Sequence, residues 1–344
     1  MSRILVLGGG LIGQRHVERI LAHPRAELAG LVDPNPEAAP GLDVPRFSAF
    51  SDAQDGADAV LIATPSDQHA DQGILAAGRG WPMLIEKPVA TSLADTDRLI
   101  AAGERHQTLA LVGHHRRHHA RVQHLKSLLD RGEIGQPITA TLLWAMRKPD
   151  AYFSGNWRSA GGSPVMINLV HDLDLLRFWF GEITDIHALR GPTLRGSDRV
   201  ESGSVILRTA LGTTVNIGFA DTTPSPWGFE AGTGENPNIG TTQQDMMWIA
   251  GTKGAISFPS LTLWRGTDWS QPAQAEARLP EREEVAPLDA QLDHFLDVIH
   301  RRADPLCSLE DGRAALAAAL EIEHQLGRDT QQVRVPSALA LEDG

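Results

Sequence analysis

Short apolar runs that alternate with helix-like segments dominate the first 120 residues and constrain the fold more than any other feature. The apolar runs are residues 3–7, 28–32, 59–63, 82–85 and 109–112. Continuous apolar strands that alternate with helices are typical of a parallel sheet covered by helices on both faces. The sequence therefore predicts an α/β fold that begins with a doubly wound Rossmann domain over residues 1–120.

The pattern changes after residue 120, where apolar strands follow one another through tight links. Residues 210–212, for example, separate two strand-like runs by an Ala-Leu-Gly link. Such links are typical of hairpins, so we predict a mostly antiparallel sheet in an α+β domain over residues 121–344. Residues 221–245 form a long stretch without strand or helix periodicity, and we expect this stretch to face the substrate.

Net charge and cysteine content limit the partners and the compartment. The 31 basic and 43 acidic residues give a net charge of −12, which disfavours nucleic-acid binding because DNA and RNA binding requires a surplus of cations. Cys307 is the only cysteine, which fits a reducing compartment. No apolar run reaches the roughly 18 residues needed to cross a bilayer, and the first residues do not resemble a signal peptide. We therefore expect a cytoplasmic protein without membrane or nucleic-acid partners.

A glycine fingerprint lies between the first strand and the first helix. Gly8, Gly10 and Gly13 form the pattern G-x-G-x-x-G. In this position the three glycines permit a tight turn, the approach of a pyrophosphate and close helix–strand packing. The helix that begins near Leu11 and Ile12 would supply backbone amides to the phosphates. The segment is therefore predicted to bind a dinucleotide.

The residue that follows the second strand indicates which dinucleotide is bound. Asp33 lies about 20 residues beyond the glycines, where a carboxylate accepts hydrogen bonds from ribose hydroxyls and repels a 2′-phosphate. Residues 34–39 contain no arginine or lysine that would bind this phosphate. We therefore expect NAD rather than NADP as the cofactor.

Three further motifs, together with the glycine fingerprint, resemble a known family. They are A-T-P-S-D-Q-H at residues 63–69, E-K-P at residues 86–88, and G-G-S-P at residues 161–164 before a helix with several polar residues. In order and spacing these motifs resemble the Gfo/Idh/MocA family of NAD(P)-dependent oxidoreductases. The resemblance implies a second domain with a large, mostly antiparallel sheet and a homo-oligomer formed through the open face of that sheet. It also implies oxidation of a secondary alcohol in a sugar, a polyol or a related small molecule.

Several of these motif residues follow strands of the predicted parallel sheet, at the edge where ligands bind. Thr64, Pro65, His69 and Glu86 are expected to contact the cofactor. Lys87 is one of only four lysines in the chain. The resemblance implies that Lys87 binds the reacting oxygen or positions the nicotinamide ribose, whereas the alternative is a surface lysine at a strand end.

The helix after residue 164 carries the predicted acid–base group. At about 100° per residue, Asn168, His171 and Asp172 share one side of that helix. Histidine titrates near neutral pH and is a natural acceptor for an alcohol proton. Inositol-dehydrogenase-like members of the family have an aspartate at the position of Ile167. Either that proton relay is absent or Asp172 takes its part, so Lys87, His171 and Asp172 are the predicted catalytic residues.

Substrate contacts are expected from residues beside these motifs and in the long irregular stretch. The histidine-rich residues 114–119 also raise the possibility of a metal site, but contiguous histidines cannot all face one ion, and no metal is expected. Asp174 and Arg177, three positions apart on the helix, are read as structural, with a surface pair as the alternative. The predicted substrate contacts are His114, Arg116, Trp157, Arg158, Asn168, Trp227 and Glu230.

The sequence as a whole predicts an NAD-dependent dehydrogenase of a hydroxylated small molecule. Two alternatives remain open, a non-catalytic regulator that senses a dinucleotide and an enzyme that uses NAD transiently for glycoside cleavage or epimerisation. The presence of both Lys87 and His171 argues against the regulator, because sensing alone requires neither.

Overall fold

Two sheets organise the part of the chain that the computed structural model describes, which is residues 1–53, 56–153, 163–195, 199–277 and 285–328. The first sheet is parallel throughout, with the strand order β3-β2-β1-β4-β5-β6. Its strands are β1 (Ser2–Leu7), β2 (Ala26–Val32), β3 (Arg46–Phe47), β4 (Ala59–Ile62), β5 (Met83–Ile85) and β6 (Ala110–Val112).

The first sheet confirms the predicted doubly wound fold. Strands β1 and β4 are buried on both faces, as their continuous apolar sequences require. The strand order reverses beside β1, and ligands of open parallel sheets bind at the carboxyl ends near such a reversal. The prediction lacked β3, because two residues between an exposed proline and a serine leave no periodic signal.

The second sheet has eight strands in the order β14-β13-β12-β11-β7-β10-β9-β8. Only the pair β7–β10 is parallel, so the sheet is mostly antiparallel, as predicted. Strand β14 is exposed throughout and has no apolar face by which the sequence could reveal it. The strands are β7 (Pro137–Ala145), β8 (Ile183–Arg190), β9 (Ser202–Thr209), β10 (Thr214–Ala220), β11 (Met247–Gly251), β12 (Ala255–Phe258), β13 (Thr262–Arg265) and β14 (Gln274–Ala277).

The helices cover both sheets, and the last one contributes to both cores. Phe295 and Leu316 pack into the core of the first sheet, whereas Ile322 and Leu326 pack into the core of the second. The first sheet ends at Val112 and the second begins at Pro137, but the chain returns to the first core near its end. No helix in the described part of the chain is long and apolar enough to span a membrane. The helices are α1 (Leu11–Ala22), α2 (His69–Gly78), α3 (Leu93–His106), α4 (Ala120–Asp130), α5 (Val170–Phe180), α6 (Phe229–Thr233), α7 (Pro287–Ile299) and α8 (Leu309–Arg328).

One face of the second sheet packs on helices and the other is open. The register places Ile206, Asn216, Thr141 and Trp248 side by side across strands β9, β10, β7 and β11. Ile206 is 54% exposed and Trp248 is 44% exposed. The middle of the open face is therefore an uncharged row that contains two large apolar side chains.

A buried ion pair connects the end of the first sheet to helix α5. Arg117 lies in a 3₁₀ turn (His115–His118) directly after β6 and donates to both carboxylate oxygens of Asp174, at 2.8 and 2.7 Å. The same guanidinium reaches the backbone carbonyl of Leu306 at 2.7 Å. Arg177 is also buried and binds Glu182. The structural reading of Asp174 is therefore right, and the surface-pair alternative is wrong.

Replacing Asp174 should destabilise the whole molecule. In Asp174→Ala the buried Arg117 guanidinium loses its bidentate partner and is left with the longer contact to Asp311 at 3.2 Å. Breaking a buried pair in this way typically costs about 3–5 kcal/mol. We expect a correspondingly lower free energy of unfolding in urea. Asp97→Ala is the control, because Asp97 pairs with Arg313 on the surface and such pairs contribute little. Equal losses in the two variants would contradict the assigned role of the buried pair.

Candidate active site

The glycine fingerprint forms an open cradle at the start of helix α1. Gly8 has φ +95°, and a Cβ there would lie 2.6 Å from the carbonyl oxygen of Ala63. A Cβ on Gly13 would lie 1.9 Å from the carbonyl oxygen of Gly8, whereas one on Gly10 would meet no atom within 4 Å. Gly10 is the N-cap residue, and no side chain caps the helix. The free space therefore lies where backbone amides can bind a pyrophosphate, so these residues fit a dinucleotide.

Asp33 is held at the other end of this cradle by two backbone amides. Its carboxylate accepts from Gly9 N at 2.7 Å and from Asn35 N at 2.9 Å. Each oxygen keeps a lone pair for a ribose hydroxyl. A cavity of about 150 Å³ lies beside this carboxylate and is lined by Leu31, Asp33, Pro34, Asn35, Pro36, Arg46, Phe47 and Ser48.

Arg46 also lines this cavity and is not among the residues predicted from the sequence. It lies on strand β3, beyond residues 34–39, which contain no arginine or lysine. Its guanidinium donates to the backbone carbonyls of Ala38 and Ala39 at 2.8 and 2.6 Å. Arg46 therefore closes the loop after Asp33 and uses its donors there.

His69 holds the loops at the strand ends together. Its ring nitrogens lie 2.9 Å from the carbonyl oxygen of Pro88 and 2.8 Å from that of Thr64. Burial lowers the pKa of His69 despite these two bonds. His69 therefore positions the loops that follow β4 and β5, beside the predicted cofactor site. The Thr64 hydroxyl donates to Gln72, and Pro65 is exposed on the same loop.

Glu86 is buried and faces helix α1. One carboxylate oxygen lies 2.7 Å from Nε2 of His16, and the other accepts from Lys87 N at 3.2 Å. Burial opposes ionisation, but the hydrogen bond from His16 and the nearby positive charges outweigh it and hold the pKa of Glu86 at about 2. The side chain thus anchors the strand end to helix α1 and also binds the backbone amide of Lys87.

Lys87 reaches from the first sheet to the second half of the chain. Its Nζ donates to the backbone carbonyl of Ile167 at 3.0 Å. Burial lowers the pKa of this ammonium group. The alternative of a surface lysine is therefore wrong. The contact also joins Lys87 to Ile167, the position at which the family resemblance implies an aspartate.

A widened helical turn carries this contact. Residues Val165–Leu169 form a π-helix directly before α5, in which Val170 N bonds to the carbonyl oxygen of Val165. Single π turns are frequent at functional sites. The sequence predicted a regular helix over this region, because periodicity does not distinguish a single wide turn. Ile167 and Asn168 are half-buried on this turn and face the site.

His171 is the neutral imidazole of the site. It is 5% exposed, and Nδ1 has no hydrogen-bond partner among the described residues. Burial, followed by the charges of Lys87 and Arg116, holds the pKa of His171 well below its ordinary value. The rings of His114 and His115 pack edge-on against it at 5.4 and 5.1 Å. His171 can therefore accept a proton near neutral pH.

His114 and Arg116, two of the predicted substrate contacts, are buried among protein groups. His114 lies between His171 and Asp174, and burial lowers its pKa to about 4. Arg116 lies among three carboxylates, and its guanidinium covers the ring of Phe229 at 4.3 Å. The three carboxylates are Asp172 at 3.2 Å, Glu230 at 2.6 Å and Glu235 at 3.4 Å.

Asp172 and Glu230 belong to this buried charge cluster. Burial raises the pKa of Asp172 to about 7, although the charge of Arg116 opposes the shift. Glu230 accepts from Trp144 Nε1 at 3.2 Å and from Asn168 Nδ2 at 3.1 Å, in addition to Arg116. Both carboxylate oxygens of Glu230, a predicted substrate contact, are thus bound to protein groups.

The structure adds residues that sequence reasoning missed. Lys148 follows β7 and donates from Nζ to Asn168 Oδ1 at 2.6 Å. His115 bonds to Glu235 beside His171. The sequence shows that lysine is scarce and that histidines cluster at residues 114–119. Neither pattern indicates that Lys148 and His115 lie in the site. Trp227 is 36% exposed beside the end of β7, as a substrate contact requires. Trp157 and Arg158 lie outside the described residues.

The histidine run is dispersed among different partners. His115 turns to Glu235, His118 packs on His294, and His114 lies nearest Asp174. Within the described ranges, no three histidine, cysteine, aspartate or glutamate side chains are gathered to hold a metal ion.

Two glycine substitutions should separate folding from cofactor binding. Gly13→Ala forces a methyl group against the Gly8 carbonyl, and we expect a loss of at least about 3 kcal/mol in the free energy of unfolding. Gly10→Ala places its methyl group in open space and should leave stability unchanged. Because that space receives the pyrophosphate, NADH affinity should fall about tenfold in a fluorescence titration. Unchanged affinity in Gly10→Ala would show that the cofactor binds elsewhere.

Comparisons with known proteins agree with this geometry. Residues 2–114 match the model of the oxidoreductase family with an NAD-binding Rossmann fold, GFO_IDH_MocA, and residues 122–257 match the GFO/IDH/MocA C-terminal domain. Inositol 2-dehydrogenase of Mycolicibacterium gilvum (strain PYR-GCK) is 32% identical over 64% of this chain and 65% of its own length. Inositol 2-dehydrogenase of Rhizobium meliloti (strain 1021) is 26% identical over 92% of this chain and 94% of its own.

A solved structure shares the fold over nearly the whole chain. It is an oxidoreductase from Agrobacterium radiobacter in complex with NAD+, L-tartaric acid and magnesium, with a TM-score of 0.76 and 19% identity over 94% of this chain and 96% of that one. The match to the Mycolicibacterium relative spans just under two thirds of that protein. Since both domain models match in order and cover most of the chain, the protein belongs to the GFO/IDH/MocA family, and its first domain is the NAD-binding Rossmann domain of that family.

Proposed function

We propose that the protein is an NAD-dependent oxidoreductase that oxidises a secondary alcohol of a sugar, a polyol or a related hydroxylated molecule. One observation carries this proposal. Lys87, at the strand ends beside the cofactor cradle, bonds to the helical turn that precedes His171, so a proton donor–acceptor pair meets at the junction of the two halves. Relatives named inositol 2-dehydrogenase support oxidation of a polyol.

Lys87 and His171 have different roles at the reacting oxygen: Lys87 donates hydrogen bonds to it, and His171 accepts its proton. An ammonium group has three N–H donors, and Lys87 uses one on Ile167. The others bind the reacting oxygen and stabilise the negative charge that develops there. The neutral His171 accepts the hydroxyl proton. NAD, when bound, supplies the acceptor for the hydride.

We assign the proton to His171 rather than to Asp172. Asp172 is only 1% exposed, and its Oδ1 is bound to Arg116. It therefore acts through Arg116 and positions the buried cluster. Because Ile167 has no carboxylate, His171 receives the proton without the relay that related enzymes have at this position.

Alanine substitutions test these roles. Lys87→Ala and His171→Ala should each lower kcat by about 10²-fold or more, since each removes a group that acts on the reacting oxygen. NADH affinity should stay nearly unchanged, because the phosphate and ribose contacts come from the glycine cradle and Asp33. The double variant should lose less than the product of the two effects, as groups that act as a unit are non-additive.

Asn168→Ala is the control for these variants and should cost less than either, because an amide cannot exchange a proton. Near-normal turnover in His171→Ala, together with an inactive Asp172→Ala, would assign the proton to Asp172 instead. The assay follows NADH formation with a panel of sugars, polyols and sugar acids. Stoichiometric NADH excludes a regulator that only senses the dinucleotide, and product formation without net NADH would favour transient use of NAD.

A homo-oligomer formed through the open face of the second sheet is part of this proposal. The uncharged row with Ile206 and Trp248 supports it, because an apolar patch of this kind is typical of a contact surface. A cytoplasmic location belongs to the same proposal. It rests on the use of a single cysteine, Cys307, which is free and buried.

Charges on the open face should disrupt the oligomer. Ile206→Glu with Trp248→Glu places four like charges together in a symmetric dimer interface, and we expect a monomeric mass by light scattering. Leu211→Glu is the matched control, since Leu211 is similarly exposed in the link between β9 and β10. An unchanged mass in the double variant would place the interface elsewhere, and a monomeric wild-type protein would refute the oligomer.

A further inference from the structure

Two ammonium groups meet at one helical turn of the site. Lys87 donates to the backbone oxygen of Ile167, and Lys148 donates to the side-chain oxygen of Asn168. Both acceptors are neutral and belong to consecutive residues of the π-helical turn. Neither lysine forms an ion pair with a carboxylate of the described residues. The turn therefore holds two ammonium groups through neutral oxygens, and neither group has a carboxylate as its direct partner in the described part of the chain.

The nearby carboxylates are already bound to other cations. Glu230 binds Arg116, Asn168 and Trp144 with its two oxygens. Asp221, behind Lys148, is held by Arg195 at 2.6 Å and by Arg199 at 2.8 Å.

The carboxylates on the Lys87 side are occupied in the same way. Glu86 is bound to His16, and Glu235 is bound to His115 and Arg116. A partly buried cation is costly unless it is paired, so the missing anion is expected from outside the protein.

Two aromatic rings flank the ammonium group of Lys148. The ammonium group lies 5.3 Å from the ring centre of Trp144 and 5.2 Å from that of Tyr152. Aromatic faces stabilise a cation but accept no ordinary hydrogen bond from it. With one of its three donors on Asn168, Lys148 keeps two donors for a ligand, the number that binds a carboxylate well.

We propose that the substrate carries a carboxylate beside its oxidisable alcohol, and that Lys148 binds this carboxylate while Lys87 binds the reacting oxygen. A sugar acid or a related hydroxy acid has this chemistry, whereas a neutral polyol leaves Lys148 unpaired. The inference rests on the proposed function, since it names the substrate class of the same site.

Binding measured without turnover tests this proposal. The protein is saturated with NADH, which prevents oxidation of the added alcohol, and is titrated calorimetrically with sugar acids and with their neutral alditols. The pairs are L-tartrate with threitol, D-xylonate with xylitol and D-gluconate with sorbitol. At least one acid should bind at least about tenfold more tightly than its alditol, because it gains a charge-assisted hydrogen bond.

Variants of Lys148 identify the group responsible. Lys148→Met should remove the preference for that acid, and Lys148→Arg should keep most of it. Lys126→Met is the matched control, because Lys126 is paired with Asp130 on helix α4 and should not affect binding. Unfolding temperatures of all variants establish that each one is folded. If Lys148→Met is not folded, the comparison of Lys148→Arg with wild type over pH replaces it.

The pH dependence separates Lys148 from its neighbours. Burial lowers the pKa of Lys148 to about 8, and the charges that face it are Asp221, Glu230, Arg199 and Lys87. Acid binding should be complete below about pH 8 and should weaken above it as the ammonium group loses its proton. In Lys148→Arg the weakening should disappear or move to higher pH, because arginine stays charged.

Three results would overturn the proposal. They are an equal or greater affinity for every alditol, an unchanged acid preference in Lys148→Met, and a pH profile that Lys148→Arg leaves unaltered. Oxidation of neutral polyols alone, at full rate in Lys148→Met, would refute the carboxylate while the dehydrogenase function stands. Carboxylate binding through Lys148 without NAD reduction by any member of the panel would refute the dehydrogenase function instead.

Discussion

The buried ion pair between Arg117 and Asp174 is the constraint on which the site depends. Arg117 directly follows the last strand of the parallel sheet, and Asp174 lies on the helix that carries His171. The bidentate bond therefore fixes this helix against the strand ends. Together with the bonds from Lys87 to Ile167 and from Arg116 to Asp172, it holds Lys87 and His171 in one arrangement, although they come from different halves of the chain. Breaking such a pair leaves a buried charge, so the two halves are expected to lose their arrangement together.

The cations of the site fall into two groups, those that have carboxylate partners and those that have only neutral partners. Arg116 has three carboxylates around it, and this excess of negative charge accompanies the raised pKa of Asp172. Lys87 and Lys148 have only neutral oxygens as partners. The buried cluster thus lies behind the proposed site, and the two lysines are the cations that we propose to bind the substrate. We use this difference in hydrogen-bond partners to assign a positioning role to Arg116 and a proposed binding role to the two lysines.

Ile167 determines what the helical turn offers to Lys87. The chain has no acidic side chain at this position, and the backbone carbonyl of Ile167 accepts the hydrogen bond from Lys87. A carbonyl orients the ammonium group but neither neutralises it nor carries a proton. His171 is consequently without an acidic partner on that turn, and burial keeps its ring neutral. A negatively charged group on the substrate would offset the positive charges of Lys87 and Lys148 at this turn.

The sequence alone determined the alternation of strands and helices and the glycine cradle with Asp33, because these depend on local patterns, and its motifs nominated Lys87 and His171 as the proposed reactive pair. Tertiary structure decided which of the polar residues are buried and which groups they bind. His114 and Arg116 looked accessible after a strand but are buried, and Glu230 bonds to Arg116 across 114 positions. Lys148 reaches the site only through the pairing of distant strands and its bond to Asn168. Burial and long-range hydrogen bonds depend on the packing of the whole chain, and no local pattern records them.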